Sequence, residues 1–133
     1  MDLDSARRRL LAERERLMRI RDGSADALDE MEERGGEFAG SDQRPVDSAN
    51  QTFERERERS VIESLERQLA LVDDALGRID EGSYGRCAVC GLPIGQERLA
   101  ARPMARFCVR HQQEAERRAQ AEAGLGDAGD PTV

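Results

Sequence analysis

The stretch "VIESLERQLALVDDALGRID", residues 61–80, sets Ile62, Leu65, Leu69, Val72, Leu76 and Ile79 at alternating spacings of three and four. On an α-helix that spacing gathers all six on one narrow stripe, the stripe that a partner helix covers in a coiled coil. Most residues between them are charged or small, so the opposite face is solvated. A stripe of this kind is not stable against water alone, and the chain must supply its cover.

Upstream, the candidate is at the N-terminus. Leu3, Leu10, Leu17 and Met31 share one heptad position, with Ala6, Ile20 and Ala27 at the other, and Glu13 and Ser24 interrupt the pattern. The reading predicts a helix over about residues 2–34, stopped near "RGGEF" by Gly35 and Gly36. A second helix is expected from about Ser48 to Glu81. "EFAGSDQRPVDSAN", residues 37–50, joins them as a loop, with Pro45 disfavouring helix at Arg44 and Asp47 or Ser48 available as a cap. Two long helices on a short polar connection fold back as an antiparallel hairpin whose tip is the loop, about residues 37–49. Near the tip, "FERERER" (53–59) replaces the apolar seam with alternating charge, a solvated and ion-paired face and a sign that the hairpin loosens there.

Composition agrees with a narrow architecture. The chain has 133 residues, 38% apolar and 37% charged, with 3% aromatic and no Trp. Without large side chains a thick core is hard to fill, whereas Leu, Ile and Ala suffice between two helices. The formal charge is −7, which repels a nucleic-acid backbone and argues against direct, specific DNA binding. The start, "MDLDSARRRLLAERERL", has no secretory apolar run, and no segment approaches the roughly 20 apolar residues of a membrane span. A cytoplasmic, reducing location is expected, with no membrane partner and no disulfide framework.

Downstream of the seam, "EGSYG" (81–85) breaks the helix and a cysteine region begins. All three cysteines and the only histidine fall between residues 87 and 111, as Cys87-x2-Cys90 and Cys108-x2-His111. Two short pairs separated by a connecting segment are what a tetrahedral Zn²⁺ needs: each pair grips the ion from one turn. In "CAVCG", Gly91 permits the left-handed backbone of a metal knuckle. "FCVRH" suits the opening of a helix, where Cys108 and His111 share a side. Buried cysteines and an idle histidine could account for one pair, but hardly for both. Four protein ligands close the coordination sphere, so one zinc is expected in a structural role and no enzymatic activity. Residues 108–123 read as a short last helix and 124–133 as a disordered tail. The fold class is therefore mainly α: a coiled-coil hairpin over 1–81, then a zinc finger with its helix over 82–123.

The segment "YGRCAVCGLPIGQERLAARPMARFCVRH" (84–111) closely resembles the DksA/TraR zinc-finger family, with its Tyr-Gly-x-Cys-x2-Cys-Gly, Arg-Leu-x-Ala-Arg-Pro and final Cys-x2-Cys segments. The likeness extends from about Ser41 to Gln112. His111 stands where the family has its fourth cysteine. The resemblance implies a regulator of RNA polymerase whose coiled coil enters the secondary channel, without reading the promoter; a monomer is expected. It also implies a functional tip, with Asp47 and Ala49 matching the family pattern. Arg44 replaces the first tip Asp, and Asp42 nearby is a candidate substitute. Arg98 and Arg102 match family arginines and are candidate basic contacts. Leu71 and Gln112 stand where alarmone-responsive members have basic residues, so strong alarmone dependence is not expected. The alternative is a zinc-stabilised coiled-coil adaptor that binds polymerase or another protein without acting at the active centre.

Overall fold

The computed structural model describes residues 2–37 and 45–124, the side chains of 35–37 and 45–48 excepted. Four helices follow in order: α1 Leu3–Glu37, α2 Pro45–Glu81, α3 Gln96–Ala101 and α4 Val109–Gly124. Among the described residues the only extended pairing is a single bridge, Arg86 with Pro93. The mainly helical class expected from the sequence is what forms. Asp2 starts α1, its carboxylate accepting from the amides of Asp4 and Ser5 at 3.1 and 3.3 Å. These are two of the N–H groups that a helix start leaves without internal partners.

Both ends of the expected loop differ from the sequence reading. α1 continues through Gly35 and Gly36 to Glu37. Glycine in a helix costs about 1 kcal/mol relative to alanine but does not forbid it. α2 begins at Pro45 and not near Ser48. Proline suits a first helical position, because the N–H it lacks would have no partner there. Asp47 therefore falls within the first turn, past the cap position expected for it. Most of the tip, including Asp42 and Arg44, lies outside the described residues, as does the tail from 125 to 133.

The chain divides into two compact units. The first, Arg7–Asp74, is an antiparallel pair. Arg14, early in α1, meets Asp73, late in α2, at 2.7 Å, while Glu32, late in α1, meets Arg59, early in α2, at 2.8 Å. Both pairs are about half exposed, so each contributes roughly 0–1 kcal/mol and mainly reports the direction of pairing. Cohesion comes from the seam, where Leu10, Leu17, Leu65, Leu69 and Val72 are buried. Removing such side chains from water stabilises by about 1.5–3 kcal/mol each.

On α1 the seam departs from the heptad reading. Leu10 and Leu17 are buried as expected, but Ile20 is 40% exposed and Arg21 is half-buried beside it. A helix of 3.6 residues per turn drifts about 20° per heptad against a 3.5 repeat, enough to bring the next residue round. Glu13 is half-buried near the seam and is gripped by Arg16 through two bonds of 2.6 and 3.0 Å. That hydrogen bond holds its carboxyl below the ordinary value, against the opposing effect of burial. Toward the tip, Met31, Arg34, Gln51, Glu54 and Arg55 line an open cleft of about 150 Å³.

The second unit contains the chain through Ala6 and from Ala75 onward. Here the end of α2 widens its buried face: Ala75, Arg78 and Ile79 are buried, as are Tyr84, Cys87, Ile94, Leu99 and Ala105. The helix ends in a turn, with the Arg78 carbonyl accepting from the amides of Ser83 and Tyr84 at 2.9 and 3.1 Å. Gly82 makes this turn with φ of 83°, a conformation that a side chain would strain. The Tyr84 hydroxyl donates to the Pro103 carbonyl at 2.7 Å and pins the two halves of the finger together. Tyr84→Phe leaves that carbonyl without its donor and should lower the finger's stability by about 1–2 kcal/mol in zinc-loaded thermal melts.

Candidate metal centre

The finger presents its ligands from two differently built turns. On the first, the Cys87 amide donates to the Leu92 carbonyl at 2.8 Å and the Gly91 amide returns to the Cys87 carbonyl at 2.9 Å. This closed knuckle depends on Gly91, whose φ is 74°, as its place after the second cysteine predicted. Ile94 donates to the Gly85 carbonyl at 2.8 Å, closing the loop around both cysteines. The second pair lies at a helix start. Cys108 immediately precedes α4, its carbonyl accepts from the Gln112 amide at 2.8 Å, and His111 falls in the first turn. The Ala88 amide reaches the Arg106 carbonyl at 2.8 Å and links the two sides.

These connections bring one donor atom from each of Cys87, Cys90, Cys108 and His111 within 4.8 Å of one another. The imidazole turns Nδ1 to the sulfurs, 3.1 Å from Cys108 and 3.5 Å from Cys87. With Zn–S of 2.3 Å and Zn–N of 2.0–2.1 Å, a tetrahedral zinc sets sulfur and nitrogen about 3.6 Å apart. The cluster is therefore of the right size for that ion, and its donors (three thiols and an imidazole) are of the right softness. None of the cysteines is in a disulfide.

The thiols are not equivalent. Burial works against ionising Cys87, yet backbone hydrogen bonds from Cys90, Cys108 and Val89, with a contribution from the Cys90 side chain, prevail and lower its pKa to about 6. Cys90 is exposed and moves the other way. The Leu92 amide favours its thiolate, but desolvation and the neighbouring Cys87 and Cys108 sulfurs outweigh that and raise its pKa. At neutral pH the pocket thus offers a ready thiolate from Cys87, while Cys90 must lose its proton as metal arrives.

The remaining sequence candidates are dispersed. Arg98 is half-buried and its Nε donates to the Phe107 carbonyl at 3.2 Å, a bond that braces the finger. Arg102 is exposed at the end of α3 and has no acidic partner among the described residues. Ala49 is exposed on α2. Sequence reasoning passed over Arg78, whose Nη2 donates to the Ala105 carbonyl at 3.3 Å from a buried position. The available signal was an arginine set between Leu76 and Ile79 on the apolar side of α2.

A helical hairpin joined to a closed Cys₃His centre defines a structural zinc-finger protein with no open coordination position for catalysis. Comparison with known proteins gives the family. Residues 82–117 match the model of the prokaryotic dksA/traR C4-type zinc finger. The RNA polymerase-binding transcription factor DksA of Caulobacter vibrioides is 34% identical over 116 residues, covering 87% of this chain and 77% of the relative. DksA of Escherichia coli K12 is 39% identical over 72 residues, 49% of this chain and 43% of the relative. The structure of transcription factor DksA2 from Pseudomonas aeruginosa superposes with a TM-score of 0.72 at 29% identity, covering 89% of this chain and 85% of that one. The chain belongs to the DksA/TraR family and carries one structural zinc, with a histidine in the set that the family description gives as four cysteines. Among the described residues no helix is long and apolar enough to cross a membrane.

Proposed function

We propose that the protein regulates transcription by binding RNA polymerase through the secondary channel, acting as a cytoplasmic monomer that catalyses no reaction and reads no promoter. The observation that carries this reading is the 34% identity along 87% of the chain to a relative named as an RNA polymerase-binding transcription factor. The physical features suit it. α1 has 35 residues, about 52 Å of helix at 1.5 Å per residue, and the paired helices present an acidic surface. In this reading the hairpin through Glu81 is the probe, and residues 82–123 form the finger, held by zinc on Cys87, Cys90, Cys108 and His111. Asp47 and Ala49 act at the tip with Arg44 and Asp42, and exposed Arg102 offers a basic contact. Arg98 has a bracing bond to Phe107 that competes with any such role.

The test is binding of the purified, zinc-loaded chain to core RNA polymerase, challenged by a competing secondary-channel factor. Displacement by the competitor is the expected result. Asp47→Asn should retain binding and lose the effect on initiation in a reconstituted transcription assay. Binding without competition would favour the adaptor reading and a different surface.

A further inference from the structure

The two halves of the metal centre are placed by different means. The Cys87 half is self-contained: its knuckle closes on bonds between Cys87 and Leu92 and between Gly91 and Cys87, all within residues 87–92. The Cys108 half has no such closure ahead of it. Residues 102–108 are neither helix nor strand, and α4, which follows them, buries no side chain. Cys108 is therefore only as fixed as the strap of chain that leads into it.

That strap is held through its carbonyls. The Pro103 carbonyl accepts from the Tyr84 hydroxyl at 2.7 Å. Three consecutive carbonyls come next: Ala105 accepts from Arg78 Nη2 at 3.3 Å, Arg106 from the Ala88 amide at 2.8 Å and Phe107 from Arg98 Nε at 3.2 Å. Their donors lie in the last turn of α2, in the knuckle and in α3. An irregular segment has no ladder of its own, so donors from elsewhere must satisfy and fix it. The residue after the strap then meets the first half of the site, because the Cys108 amide donates to the Cys87 sulfur.

Of these donors Arg78 is the costly one. It is 9% exposed, on a stretch of α2 that also buries Ala75 and Ile79. An apolar side chain could be buried there without desolvating a charge. What the arginine adds is a donor long enough to reach a carbonyl of the strap.

We propose that Arg78 is a positioning residue of the zinc centre. By holding the Ala105 carbonyl it sets the strap, through the strap it sets the place of Cys108, and it thereby governs how long zinc is retained. Tyr84 and Arg98 act on the two ends of the same strap. Groups that orient a metal ligand from outside the coordination sphere change metal affinity by about 10–100-fold when removed.

The test is zinc release from the full, zinc-loaded chain into an excess of chromogenic chelator, for wild type, Arg78→Met, Arg78→Lys and Leu17→Ala. Arg78→Met keeps most of the volume and removes the donor, and should release zinc about tenfold faster. Arg78→Lys keeps a donor on a shorter stem and should fall between Arg78→Met and wild type. Leu17→Ala weakens the hairpin seam without touching the strap, so release at the wild-type rate is expected. Cobalt(II) loaded in place of zinc gives a second reading, since its visible absorption reports the arrangement of sulfur and nitrogen donors. That spectrum should change shape in Arg78→Met and stay as in wild type in Leu17→Ala. Wild-type release with an unchanged cobalt spectrum in Arg78→Met would overturn the assignment. So would release from Leu17→Ala as fast as from Arg78→Met, because lost overall stability would then explain both. If Arg78→Met does not fold, Arg78→Lys decides: faster release upholds the role and wild-type release overturns it.

Discussion

Chelation of zinc at neutral pH should remove the helical signal of the finger and leave the hairpin folded. α3 and α4 have 6 and 16 residues, and α4 buries no side chain, so neither has a core able to hold it as a helix. The finger's cohesion rests on a few buried side chains, among them Cys87, Ile94 and Leu99, and on a few hydrogen bonds such as Ala88 to Arg106 and Tyr84 to Pro103, with the ion as the strongest tie between the ligand pairs. Structural zinc contributes an apparent 10–16 kcal/mol in finger peptides, more than these contacts can replace. The seam of Leu10, Leu17, Leu65, Leu69 and Val72 contains no ligand and should persist. Circular dichroism at 222 nm should therefore fall by roughly a fifth and recover on adding zinc. Cys87→Ser should produce the same partial loss without chelator. An unchanged spectrum, or complete loss of helix, would contradict the assignment.

Acid should act in the same direction. The Cys87 thiol has an ordinary value of 9.0 and is held at about 6 in the fold. The folded state therefore binds fewer protons than the unfolded chain. The stabilisation from Cys87 is complete above the ordinary thiol value and is lost as the pH falls through about 6.

The other large effect belongs to the hairpin. Leu17 is 1% exposed in a seam only two helices thick, where little surrounding structure can relax into a void. Leu17→Ala should cost about 2–5 kcal/mol by urea unfolding, with zinc content unchanged at one per chain. The informative control is Ile20→Ala. A strict heptad puts Ile20 in the seam and predicts a comparable loss; its 40% exposure predicts less than about 1 kcal/mol. Equal costs for the two substitutions would restore the heptad pairing and displace Arg21 from its half-buried place.

Other features could be read from the sequence because their causes are local. The six apolar residues of α2 form a stripe by helical spacing alone, and Leu65, Leu69, Val72 and Ile79 are buried where the spacing put them. The metal pairs are equally local, since two ligands three residues apart fix one turn. The helix ends were less legible. Gly35 and Gly36 resemble a stop and Ser48 a start, yet the differences between helix and loop there are small, about 1 kcal/mol per residue, and are easily outweighed.

Residue types and spacing alone determined the helical class, the Cys87, Cys90, Cys108 and His111 set, and the buried stripe of α2. Only the tertiary structure decided that Ile20 stays 40% exposed, that Arg78 is buried and holds the Ala105 carbonyl, and that Cys87 ionises readily while Cys90 resists. The physical reason is the same in each case. Periodicity and ligand spacing belong to one segment of chain, whereas the side of a helix that is covered, and the acidity of a thiol, depend on atoms contributed by segments distant in sequence.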